Sequence, residues 1–278
     1  MKLSLVLLSN ALIATTLSAP TPEAAPGLLN RIQRREARNH QSLPKQIAPA
    51  NGIQGINSDV KKKKNTDFSS NWSGAVIKTP PTGQTFNAVS ATFTVPGPAI
   101  PVGVASNDSY AASAWVGIDG DTYSNAILQT GIDFSITTEG KISFDAWYEW
   151  FPDYAYDFSL AVSAGDVISL SVSASTSTSG TATVENLTTG LGATIDLTSS
   201  SKLGGQNAEW IVEDFTVNGA LVPLANFGTV DFTDCVASTA SEDLGPESAT
   251  VIEIENSKGV VLTEVGIVSN SALQVVYQ

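Results

Sequence analysis

Val89-Ser90-Ala91-Thr92-Phe93-Thr94-Val95 alternates apolar and hydroxyl side chains without a break. A period of two marks an extended strand with one dry and one wet face. Ile168-Ser169-Leu170-Ser171-Val172-Ser173 repeats the pattern. From Asn71 onward the chain is a succession of such short stretches, rich in Val, Ile, Thr, Phe, Tyr and Trp and broken by Gly, Pro, Asn and Asp. No long helical period interrupts them, so the chain predicts an all-β sandwich or barrel.

Four other strands carry aromatics and acids together on the face that should be wet. Ile142 to Trp150 gives Ser143, Asp145, Trp147 and Glu149 on one side, and Ser113 to Asp119 gives Ser113, Trp115, Gly117 and Asp119. One parity of Ile127 to Phe134 yields Ile127, Gln129, Gly131 and Asp133, and one of Asn207 to Val217 yields Glu209, Ile211, Glu213 and Phe215. Any one such strand reads as an ordinary surface. Four together predict converging faces and a groove walled by Trp115 and Trp147, with Gln129, Glu209 and several carboxylates inside.

Working outward from the strands, the ends of the chain differ sharply from its body. Met1 to about Ala19 reads as a secretory signal peptide, with Lys2 ahead of an apolar run and small residues at Ser18 and Ala19. No later stretch approaches the roughly 18 apolar residues of a spanning helix. Residues 20 to 64 read as a basic propeptide, helical over Leu28 to Arg38 and ending at Lys61 to Lys64. Ten of the 14 Lys and Arg residues lie within the first 64 positions, against three of the 27 acids. The body from 65 to 278 keeps 4 basic and 24 acidic residues, a formal charge of about −20. Such a field excludes nucleic acid and anionic membranes as partners and suits a protein made for acid. It also predicts that the basic propeptide docks on the acidic body and is released as acid titrates the carboxylates. The expected product is a secreted monomer, extracellular, with one domain over 65–278.

The only histidine, His40, stands in that leader, and the body retains one cysteine, Cys235. No Ser-His-Asp or Cys-His nucleophile and no histidine-ligated zinc site can be built in the body. An internal disulfide is equally excluded. Catalysis there must use carboxylates, amides and hydroxyls, with no metal and no cofactor expected. Asp119-Gly120-Asp121 is a weak suggestion of a calcium loop and reads better as a turn. Pepsin-like peptidases need two Asp-Thr/Ser-Gly loops, which are missing. A retaining glycosidase on a jelly roll needs two close carboxyl groups, which Glu149 and Glu209 could supply. A lectin-like carbohydrate-binding module would need neither.

At these segments the chain resembles a known family. Asn71-Trp72-Ser73-Gly74-Ala75, Ser90 to Pro96, Ala114-Trp115-Val116-Gly117-Ile118-Asp119-Gly120-Asp121, Ala126 to Gly131, Asp145-Ala146-Trp147-Tyr148-Glu149-Trp150, Asn207 to Phe215 and Val230 to Cys235 are similar, in order, to the fungal glutamic peptidases, or eqolisins. The resemblance covers about 67 to 278. It implies an antiparallel β-sandwich of concanavalin A-like, jelly-roll type, with two curved seven-stranded sheets and a Gln/Glu catalytic pair. By matching motifs the pair is Gln129 and Glu209. It further implies an acid endopeptidase, insensitive to pepstatin, made as a proenzyme and acting on protein or peptide substrates, with its own propeptide as inhibitor.

The chemistry of such a pair follows from its groups. A glutamate hydrogen-bonded in its charged form stays partly ionised in acid and can shuttle a proton. A primary amide donates to an oxyanion at any pH. Trp115, Asp119, Asp133, Asp145, Trp147 and Glu149 are the expected substrate-binding residues, with Asp157 a further candidate. Glu213 and Asp214 read as support or surface. The resemblance implies a disulfide at Cys235 in some members, for which this chain has no partner. Among the Asn-x-Ser/Thr sequons, Asn71 reads as too embedded to be modified, and Asn107 and Asn186 as plausible glycosylation sites.

Overall fold

The computed structural model describes residues 40–48, 66–105 and 109–278. The expected signal peptide, the helical stretch over 28–38, the lysine run at 61–64 and Asn107 lie outside the described residues.

In chain order the strands are β1 (Thr66–Ser69), β2 (Trp72–Ile77), β3 (Ala88–Thr94), β4 (Ser109–Ile118), β5 (Ile127–Thr137) and β6 (Ile142–Phe151). There follow β7 (Tyr156–Asp157), β8 (Val167–Thr176), β9 (Ser179–Asn186), β10 (Leu191–Thr198), β11 (Ala208–Glu213), β12 (Thr216–Val217) and β13 (Ala220–Leu221). The last are β14 (Thr229–Ser238), β15 (Asp243–Leu244), β16 (Thr250–Ile254), β17 (Thr263–Ser269) and β18 (Ala272–Tyr277). They form two large sheets, of order β1-β16-β2-β11-β4-β5-β6-β7 and β10-β9-β8-β3-β14-β18-β17.

The sandwich expected from the sequence is present, with two departures. Each sheet gains a two-residue strand beyond seven, β7 at one edge and β15 beside β14. The first pair, β1 with β16, is parallel, whereas the other pairings within both sheets are antiparallel.

The core lies between the sheets. Val89, Ala91 and Phe93 of β3, Ile168, Leu170 and Val172 of β8 and Val184 of β9 face Ala114, Val116, Leu128, Ile132, Trp210 and Val212 of the first sheet. On β3 and β8 buried and partly buried residues alternate, as period-two geometry requires. The strands β2 and β11 and most of β4 and β5 are buried on both faces. Their second face carries its own apolar cluster, built on Trp72, Val76, Trp115, Ile127, Trp147, Ile211 and Ile252. A sheet face packed with tryptophan yet turned away from the core marks the site.

Candidate active site

Strand register arranges this outer face into cross-strand rows. One row runs Val76, Glu209, Gly117, Gln129, Glu149 across β2, β11, β4, β5 and β6. The next is Gly74, Ile211, Trp115, Gly131, Trp147, and the third Trp72, Glu213, Ser113, Asp133, Asp145. The four parity sets read from the sequence therefore meet on one face, and Glu209 and Gln129 occupy one row with Gly117 between them.

Glu209 and Gln129 are fully buried. Neither carboxylate oxygen of Glu209 has a hydrogen-bond partner among the described residues. Burial therefore pushes its carboxyl well above the ordinary range, and the negative charges of Asp119 and Asp121 push in the same direction. Unpaired buried polar groups are costly, and native proteins keep them where function requires. The expectation that hydrogen bonds hold Glu209 ionised is not met in this state.

Residues 40–48, within the segment expected to be a propeptide, lie in the groove over the pair. Gln41 exchanges backbone hydrogen bonds with Thr216, 3.2 Å in each direction. The Ser42 N–H donates to Glu149 Oε2 at 3.1 Å, and the Ser42 carbonyl accepts from Gln129 Nε2 at 3.3 Å. The Leu43 N–H donates to Glu213 Oε1 at 3.2 Å, while its carbonyl accepts from Trp72 Nε1 at 2.9 Å and Asn71 Nδ2 at 3.3 Å. His40 packs its ring on Phe215 and places Nδ1 3.6 Å from Asp133 Oδ2. Lys45 reaches Asp121 and Asp67. Residues 40–48 thus meet the groove by main-chain contacts and by charge.

The other expected residues divide. Trp115 and Trp147 wall the groove, and each indole N–H is committed, to Glu213 Oε2 and to Ser113 Oγ, both at 2.9 Å. Glu149 and Asp133 meet Ser42 and His40, whereas Asp145 stands beside Asp133 at the end of its row. Asp157 is buried opposite Trp147. Asp119, expected to bind substrate, is engaged with the chain's own backbone. Its carboxylate accepts from the backbone N–H groups of Gly204, Gly205, Gln206 and Asn207 at 2.7 to 3.4 Å, so it fixes the loop that leads into β11. Asp119-Gly120-Asp121 is no calcium loop either: Asp119 holds amides and Asp121 holds a lysine. Among the described residues no group of three or more His, Cys, Asp or Glu is placed to hold a metal.

Glu213, expected to be support or surface, is fully buried in the groove. Burial pushes its carboxyl up to about 8, against the opposing hydrogen bonds from Trp115, Leu43 and Asn71. Its parity with Glu209 was the available signal. Asp214 is likewise driven well above its ordinary value by burial and by Glu213. Asn71 is buried in hydrogen bonds, as its motif suggested. Asn186 corrects another expectation: its side-chain amide is buried, donating to Asp166 at 2.8 Å and accepting from Thr188 and Thr189, so it is no open acceptor for glycan. Cys235 is a buried free thiol, pushed up to about 12 by burial and by Asp234.

A β-sandwich whose outer tryptophan-walled face carries a buried glutamate and glutamine in one row, in a body without histidine, is a glutamic-type endopeptidase. The chain belongs to the peptidase A4 family, whose model matches residues 70–277. It is 41% identical to aspergillopepsin-2 of Aspergillus niger over the full length of both chains. To scytalidopepsin B of Scytalidium lignicola it is 39% identical, covering 88% of this chain and 89% of that protein. Among solved structures, scytalido-glutamic peptidase with a transition-state analogue inhibitor superposes with a TM-score of 0.66 at 38% identity, covering 75% of this chain and 98% of that one.

Proposed function

We propose that this chain is the proenzyme of a secreted acid endopeptidase that hydrolyses peptide bonds with Glu209 and Gln129. The observation that carries the reading is the contact between Gln129 Nε2 and the Ser42 carbonyl, in the row that holds Glu209. A peptide carbonyl in that position is polarised by the amide, and the oxyanion that forms on attack keeps the same donor.

Glu209 takes the proton from water as it attacks the carbonyl carbon, and then returns a proton to the leaving nitrogen. With the leader in place burial raises its proton affinity, which favours the neutral form and disfavours the base. Removal of the leader opens the groove to water and lifts the desolvation that causes the shift. Inhibition by the leader is thus both steric and electrostatic. Glu149 and Glu213 accept backbone N–H groups on either side of the polarised carbonyl, and Trp115 and Trp147 form the walls.

The test is cleavage of denatured haemoglobin at acid pH by processed protein, with pepstatin present. The expected result is cleavage by wild type and none by folded Glu209→Gln. Loss of the donor in Gln129→Ala is expected to cost about 100- to 1000-fold in kcat. Appreciable turnover by folded Glu209→Gln overturns the assignment.

A further inference from the structure

Lys45 lies three residues beyond the carbonyl that Gln129 polarises, on the leaving-group side. Its backbone is fixed there by a hydrogen bond from Lys45 N–H to the Gly120 carbonyl at 3.0 Å. Its ammonium sits between Asp121, which it contacts directly, and Asp67, 3.3 Å away. The lysine side chain is 10% exposed and that of Asp121 only 4%.

Charge at this spot is unbalanced without a guest. Asp67 is paired with the resident Lys78, but Lys78 approaches Asp121 only to 3.8 Å. Among the described residues, Asp67 and Asp121 then face one ammonium, that of Lys78, and Asp121 loses its direct partner once residue 45 is gone. A cationic side chain of a guest peptide restores the pair. A cavity of about 550 Å³ bounded by Lys45, Asp67, Asp121 and Glu255 continues from the pocket. It leaves room for a side chain longer than lysine.

We propose that Asp67 and Asp121 form a specificity subsite for a lysine or arginine side chain of the substrate, three residues beyond the carbonyl of the bond that is cut. The proposal rests on the peptidase reading above and on the leader marking the path of a substrate. Peptide chains that follow the leader from Ser42 to Lys45 meet the same Glu149, Gln129, Glu213 and Asn71 contacts, which engage main-chain atoms and do not select side chains. Asp67 and Asp121 grip the guest by a charged side chain and so can select.

The experiment compares two peptides that differ only at the third residue after the scissile bond, lysine in one and norleucine in the other. Both are given at about pH 5, where ordinary carboxylates are ionised, to full-length protein that has processed itself, and the cut is located by mass. The expected result is a kcat/KM higher by about tenfold for the lysine peptide, as for one desolvated charge pair. In Asp121→Asn, and in Asp67→Asn with Asp121→Asn, the ratio should fall to near one. Equal rates on wild type, or a ratio that survives in the double variant, overturn the subsite alone. Cleavage of neither peptide overturns the peptidase reading and this inference with it. Because the wild-type comparison stands by itself, a variant that fails to fold does not shield the proposal.

Discussion

Glu209 and Gln129 face one another across a single residue, Gly117, which stands between them in the same cross-strand row. A Cβ on Gly117 would lie 3.1 Å from Glu209 Oε1, 3.3 Å from Gln129 Cβ and 2.9 Å from the ring of Trp115. Each contact is tighter than side chains ordinarily accept, so one methyl group would part the pair. Gly117→Ala is expected to lower kcat about 100-fold, as small displacements of reacting groups do. The overpacking should cost about 1–3 kcal/mol of stability. Acid-pH kinetics beside thermal unfolding check it: full activity in a folded variant would show that the pair tolerates displacement.

Asp119 gives the opposite prediction, a large effect on folding through a carboxylate that holds the chain's own backbone. Its carboxylate satisfies four backbone N–H groups in the loop before Asn207. Asp119→Ala leaves those donors buried and should destabilise by about 3 kcal/mol. Unfolding in urea measures the loss. In the fraction that folds KM should shift little, and a large rise in KM with stability unchanged would return Asp119 to the substrate site.

The contrast between these residues shows what the sequence could reveal. Period two placed Trp115, Gly117, Gln129, Trp147, Glu149 and Glu209 on one side of their strands, and register then joined those sides, because parity is a property of the backbone alone. Asp119 shares that parity, but it follows the end of β4, where the backbone turns with φ of 71° and parity no longer applies. Parity sets Glu213 on the face of Glu209, but its partners Asn71, Trp115 and Leu43 come from distant parts of the chain and no local pattern names them. The pairing of β1 with β16 joins segments about 180 residues apart in a parallel sense, and no local pattern encodes it. The placement of residues 40–48 in the groove shows in the sequence only as a contrast of charge between the two parts of the chain.

Glu213 also sets the direction in which stability changes with pH. Its ordinary value is 4.5 and its folded value about 8, so between these the folded state holds a proton that the unfolded state releases. Stability is therefore full below the unfolded value and is lost as pH rises toward about 8. The slope is about 1.4 kcal/mol per pH unit for one proton held. Glu209 and Asp214 are shifted in the same direction and steepen it. The full-length chain should therefore unfold at progressively lower temperature from about pH 5 to about pH 8. Glu213→Gln should flatten that decline. A Tm that rises over the interval would contradict the sign for all three groups.

The leader should inhibit through both of its kinds of contact, and the two can be separated by salt. Hydrogen bonds to Glu149, Gln129, Glu213 and Asn71 are buried or partly buried and short-ranged, so added salt screens them little. The Lys45 ammonium pairs with Asp67, whose carboxylate is nearly half exposed, and that part weakens as salt rises. A synthetic peptide of residues 20–64 is therefore expected to inhibit the processed enzyme and to lose part of its affinity between low and high salt. The Lys45→Ala peptide should bind about tenfold more weakly and show a smaller salt dependence. A second peptide with Leu43→Pro deletes the N–H that reaches Glu213. It should lose affinity at every salt concentration while keeping the wild-type salt slope. Equal inhibition constants for all three peptides would mean that the groove contacts of residues 42–45 do not hold the leader.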